Sequence, residues 1–308
     1  MNTLITTSVV RGSHQGESHG GVFLVNLENQ SVKQVIDWDT ADINWEGRGA
    51  DRGLRGIAFD GETVYIAASD ELFAYTPDFK LIGSWRNPYL RHCHEIDVFD
   101  RSLFLTSTGY DSILAFDMDK KIFHWAMHIE VEDYKFKNSI YDPLDDDGPI
   151  MLNKMHINNI CCTKGGMYLS GLKTGGMLHF NGKTTFMSVQ LPEGTHNARP
   201  FRDGVLFNDS KADVLRYSGR GEGREDRSLP VPKYDIDDLT HKDLDDQRVA
   251  RQGFARGLCV MSEQVVAGGS SPSTITLYNL KESRQLMSVN LTRDIRNAIH
   301  GLEIWPYT

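Results

Sequence analysis

The chain has 308 residues, 40% of them hydrophobic and 24% charged, a balance that suits a globular protein with a large buried core and excludes a disordered one. A net charge of −9 argues against a nucleic-acid partner, because neutralising phosphates takes a local excess of Lys and Arg. The N-terminal MNTLITTSVVRGS lacks a basic leader ahead of a long apolar run, and no segment approaches the roughly 18 apolar residues of a membrane span, so a cytoplasmic protein with no membrane partner is expected.

In chain order, short strands ending in a small residue recur: ITTS (5–8), VYIAAS (64–69), LFLTS (103–107), MYLSG (167–171), VLFNDS (205–210) and VVAGGS (265–270). Each is followed by an alternating strand: GVFLVN (21–26), ELFAYT (71–76), SILAFD (112–117), GMLHFN (176–181), DVLRYS (213–218) and TITLYN (274–279). Period-two alternation with β-branched and aromatic residues marks these as strands, and a unit of ~40 residues marks propeller blades. A further strand precedes five of the pairs, in GLRGIAFDG, CHEIDVFD, MHINNICCTK, THNARPFRDG and FARGLCVMSE. The unit that begins at ITTS lacks this strand, and IHGLEIWP at the C-terminus would supply it. The pattern predicts one all-β domain over 1–308, a six-bladed β-propeller closed by the C-terminal strand joining the N-terminal blade.

Three irregular insertions, near 38–53, 130–154 and 232–252, are expected to face the mouth at which the first strands begin. The acidic runs Asp145 to Asp147 and Asp235 to Asp246 lack the calcium-loop spacing and read as solvated loops. Cys93, Cys161, Cys162 and Cys259 show neither a disulfide framework nor a C-x-x-C metal spacing, and read as small buried hydrophobes.

Aligning the six first strands on their following apolar residues brings Arg55, His94, His156, His196, Arg256 and His300 into register, ~40 or ~60 residues apart. Equivalent positions at the start of first strands converge on one mouth of a propeller, so six long polar side chains are expected to share a pocket. Imidazoles from several strands can hold Fe, Cu, Zn or Ni with an open position, which makes His94, His156, His196 and His300 the candidate metal ligands. Glu95 and Glu303 are the candidate general bases, and Asp97, Asn158, Asn159 and Asn197 are possible partners of the ligand imidazoles. The forks of Arg55 and Arg256 repel a cation and suit an anionic substrate, with Asn158, Asn197 and Arg199 as further substrate contacts. His92, two residues before His94, is a secondary candidate, and His14 and His19 in RGSHQGESHG read as solvated loop residues.

MHINNICCTKGGMYLSGL resembles the H-[LI]-N-x-[LIM] blade, and FARGLCVMSEQVVAGGS the F-x-RGL-x-F blade, of an uncharacterised bacterial family of conserved propeller-like proteins. THNARPFRDGVLFNDS resembles a third blade of that family, with Thr195 in place of its Pro; Asn159 stands where the family has Gly. This resemblance implies the fold and the ring positions, and no activity. RGI, RGL and HGL are similar in layout to the first-strand motifs of six-bladed regucalcin/gluconolactonase propellers, with nitrogen donors and arginines where those carry oxygen ligands for calcium. HEIDV resembles the H-D-I blade of arylsulfate sulfotransferases, propellers that use histidine and arginine without metal. Four-histidine iron propellers that cleave carotenoids share only the ligand count.

Three functions follow as expectations. The first is a metal-dependent enzyme, an oxidoreductase or oxygenase using Fe or Cu in preference to Zn, acting on a small anionic substrate. The second is metal-free sulfuryl or phosphoryl transfer through a histidine nucleophile. The third is non-catalytic binding of an anionic ligand. No protein partner is indicated.

Overall fold

The structure is a computed structural model that describes residues 3–14, 16–38, 53–246 and 250–307. The expected insertion at 38–53 therefore lies outside the described residues except at its two ends. The chain is all-β, a six-bladed β-propeller: six sheets, five of four strands and one of five. The first strands are Asn297–Ile304, Ile57–Asp60, Ile96–Phe99, Ile157–Thr163, Thr195–Phe201 and Gly253–Val260, belonging to blades 1 to 6 in turn. Asn297–Ile304 pairs antiparallel with Thr3–Val10, so both chain ends meet in blade 1, as the sequence predicted.

The chain divides into two compact units, a terminal unit of Met1–Arg55 with Phe201–Thr308 and a central unit of Gly56–Pro200. In each, the apolar cores lie between successive blades, a direct result of strand alternation. In Ser112–Asp117 of blade 3, Leu114 packs with Leu72 and Leu90, whereas its neighbour Ile113 packs with Ile157 and Leu169 of blade 4. Successive side chains point to opposite faces, so one strand feeds two cores. In the terminal unit Leu206, Leu258 and Tyr278 join blades 5 and 6, and Leu4, Ile275 and Leu302 join blades 6 and 1. Fourth strands such as Ser31–Asp37 and Leu81–Arg86 are largely exposed.

First-strand carbonyls are tied by side chains of the preceding blade. Thr7 Oγ1 donates to Arg55 O at 2.6 Å and Asn208 Nδ2 to Gly257 O at 3.0 Å in the terminal unit. In the central unit Thr108 Oγ1 donates to Ile157 O at 2.5 Å and Asn159 Nδ2 to Ala198 O at 2.6 Å. A buried carbonyl left without a donor would cost about 1–3 kcal/mol, which these small polar side chains avoid.

The segment 130–154 is not irregular throughout. Ile122–Glu132 runs on into it and turns back as Lys135–Tyr141, giving blade 3 its fifth strand. Asp133 and Tyr134 make the turn with φ of 50° and 60°, both left-handed, as a two-residue type I′ hairpin needs. Among the described residues of 232–252, Ile236–Asp238 is a 3₁₀ turn capped by the Asp235 side chain, and Leu239 and Ala250 pack on Ile295. Among the described residues, no helix is long and apolar enough to cross a membrane.

Candidate functional site

In the central unit, His94 and His156 stand side by side, ring centroids 5.4 Å apart and planes at 63°. His94 Nδ1 lies 2.7 Å from His92 O and 3.0 Å from Thr108 Oγ1. A carbonyl only accepts, and the Thr108 hydroxyl proton is directed at Ile157 O, so His94 Nδ1 carries the hydrogen. His156 Nδ1 is 3.0 Å from Asn153 Oδ1, and His196 Nδ1 is 3.0 Å from Gly194 O. All three imidazoles are thereby set with Nδ1–H as donor, so that Nε2 is the nitrogen that carries the lone pair whenever the ring is neutral. His94 and His196 are buried, whereas His156 is partly exposed.

Strand pairing corrects the register of one residue. Ile96 pairs with Leu105 and Ile160 with Leu169, so Asn158 stands before Ile160 as His94 stands before Ile96; His156 lies two residues further back. A bulge between Ile157 and Asn159 and a left-handed φ of 56° at His156 still bring its ring beside His94. Asn158 is 2% exposed, and neither polar atom of its carboxamide has a hydrogen-bond partner among the described residues.

Glu95 Oε1 accepts from Asn197 Nδ2 at 2.8 Å, so the expected base and the expected substrate amide hold each other. Asp97 accepts from the Cys162 amide at 2.6 Å. Burial raises its carboxyl above the ordinary range, opposed by that amide and by the charge of Arg199, so Arg199 serves a buried carboxylate. Burial, then Asp97, push the Cys162 thiol up, which disfavours its thiolate.

In the terminal unit, Arg256 Nη1 lies 2.5 Å from His300 Nε2, and His300 Nδ1 is 3.2 Å from Ala298 O. Guanidinium only donates, so the Nε2 lone pair of His300 is taken by Arg256, which makes His300 an anchor for the arginine. The Arg256 guanidinium also sits 4.5 Å from the Phe254 ring, which Arg11 and Arg251 approach at 4.9 and 5.8 Å. Burial, then the charge of Arg251, lower the Arg11 pKa to about 10. Arg55 is 1% exposed. Glu303 lies three residues beyond His300, opposite Ile5 in the sheet. Buried His19 bonds Ser13 through Nδ1, whereas His14 is exposed as expected of a loop residue.

Among the described residues, no group of three or more His, Cys, Asp or Glu side chains is arranged to hold a metal ion. The imidazole tautomers suit metal ligation, but the donor set falls short of the three or four ligands a catalytic ion takes. Sequence reasoning missed Thr108, Asn153 and Phe254, which orient His94, His156 and Arg256; only Asn153, three residues before His156, carried a local signal.

No protein-family model matches the chain, and no curated protein does either. Among solved structures it is similar to a chain in the crystal structure of a nidogen/laminin complex, with 12% identity over 98% of both chains and a TM-score of 0.61. It is similar also to a protein of unknown function from Bacteroides caccae, with 10% identity over 100% of both chains and a TM-score of 0.61. At such identities the likeness is one of fold, and the chain is a six-bladed β-propeller with a neighbour of unknown function.

Proposed function

We propose that this chain acts on a small anionic molecule without a metal, using a neutral imidazole of the central unit as the reacting group. The observation that carries the reading is the shared tautomer of His94, His156 and His196, each with Nδ1–H on an oxygen and the lone pair on Nε2. His156 is the favoured acceptor because it alone of the three is partly exposed. Its Nε2 would form a bond to the sulfur or phosphorus of an ester as the ester oxygen bond breaks, the departing alkoxide taking a proton from water. The Asn153 oxygen would stabilise the positive charge that develops on the ring. In the terminal unit, taken by itself, Arg256, steadied by Phe254 and His300, supplies a preorganised fork for an anion.

The test is calorimetric titration with sulfate, phosphate and methyl sulfate, then intact-mass measurement after incubation with an activated aryl sulfate or phosphate ester. Arg256→Ala should lose anion affinity. His156→Ala should keep it and lose any sulfuryl or phosphoryl adduct. Binding without an adduct would leave the non-catalytic reading. The Nδ1 geometry also favours a second reading, in which His94 and His156, the two imidazoles that stand side by side, hold Fe or Cu for oxidative chemistry with the remaining positions left to substrate and water. Near-stoichiometric metal in untagged protein, absent from His94→Ala/His156→Ala, would establish it.

A further inference from the structure

Ile150, Met151 and Leu152 are consecutive large apolar side chains that are 77%, 52% and 58% exposed. Their loop is pinned at both ends. The Gly148 amide donates to Tyr89 Oη at 2.8 Å, and the Asn153 amide to Gly109 O at 3.1 Å. The Asp111 carboxylate then takes the amides of Lys154, Met155 and Ile157 at 2.6, 3.0 and 3.3 Å. Apolar side chains held in water by a fixed backbone call for an occupant.

The loop is continuous with the histidine cluster of the same unit. Asn153, next to Leu152, holds His156 Nδ1. Met151 and His92 pack together over Gly109, where a Cβ would meet Met151 Sδ and His92 Cδ2 at 3.3 Å each, and His92 O in turn receives His94 Nδ1–H. Three side chains are far short of the roughly 800 Å² per partner that a specific protein interface takes, but they match the size of a ligand's alkyl or aryl arm.

Resting on the proposed reading, we infer that the substrate is amphiphilic: its polar group meets His94 and His156, and an apolar arm lies on Ile150, Met151 and Leu152. Two calorimetric series test this, n-alkyl sulfates and neutral n-alkyl glucosides, each from methyl to octyl below the micelle concentration, with sedimentation run alongside. Affinity should rise about 2- to 4-fold per methylene, as partial to full burial predicts. A variant carrying Ile150→Ser, Met151→Ser and Leu152→Ser should flatten that rise while keeping wild-type affinity for the methyl compound. A rise among the glucosides alone, flattened in the variant, would sustain the apolar arm while the anionic reading fell. Length-independent affinity in both series would overturn the inference, as would a wild-type dimer that the triple variant dissolves.

Discussion

A Cβ at Gly257 would lie 2.8 Å from Ile299 Cγ2 and 2.9 Å from the His300 carbonyl oxygen, and the residue's φ is 76°. It is the extra residue in the bulge between Arg256 and Leu258, the feature that lets Arg256 reach His300. Gly257→Ala should therefore cost on the order of 1–3 kcal/mol in urea unfolding and weaken anion affinity together, since strain and site share one backbone. Thr108 gives a cleaner separation in the central unit, because its hydroxyl bonds Ile157 O and touches His94 Nδ1. Thr108→Val should cost about 1–3 kcal/mol by denaturation, whereas Thr108→Ser, which keeps the hydroxyl, should recover most of it.

Among the elements, the first strand of blade 3 carries a pH dependence. Asp97 is raised mainly by burial, so folding favours its protonated form. The stability it lends is full below the ordinary carboxylate range of ~4 and is lost as pH rises through the raised value. Asp97→Asn should remove that loss: melting temperatures from pH 3 to 8 should show wild type falling relative to the variant as pH rises, and parallel curves would discard the assignment. The third strand of the same blade, Ser112–Asp117, is a packing element. Leu114→Ala should cost about 2–5 kcal/mol by denaturation, since Leu114 is fully buried in a core shared by two blades. The first three strands of this blade were legible from alternation, but its fifth strand was not. Its turn is Asp133-Tyr134, which lacks the Asn-Gly or Asp-Gly signal, and the left-handed conformation of Tyr134 is apparent only once the strands are paired.

For the whole molecule, the Trp305 amide donates to Thr3 O at 2.8 Å, so the chain ends meet as neighbouring strands. A circular permutant that joins residue 305 to residue 3 by a short loop and opens the chain in the exposed turn at Lys281 and Glu282 should unfold in one step within a few degrees of wild type. The six blades, the first three strands of each and the C-terminal closure were determined by the sequence alone, because alternation and turn residues are local and repeat six times. The candidate positions Arg55, His94, His196, Arg256 and His300 were legible for the same reason. Their chemistry was not. That His300 Nε2 is taken by Arg256, that Asn158 rather than His156 stands in the register of His94, and that each imidazole proton sits on Nδ1 were decided by the tertiary structure. Bulges shift register without altering the pattern of residue types, and a tautomer depends on an oxygen that the fold, not the neighbouring sequence, brings within 3 Å of the ring.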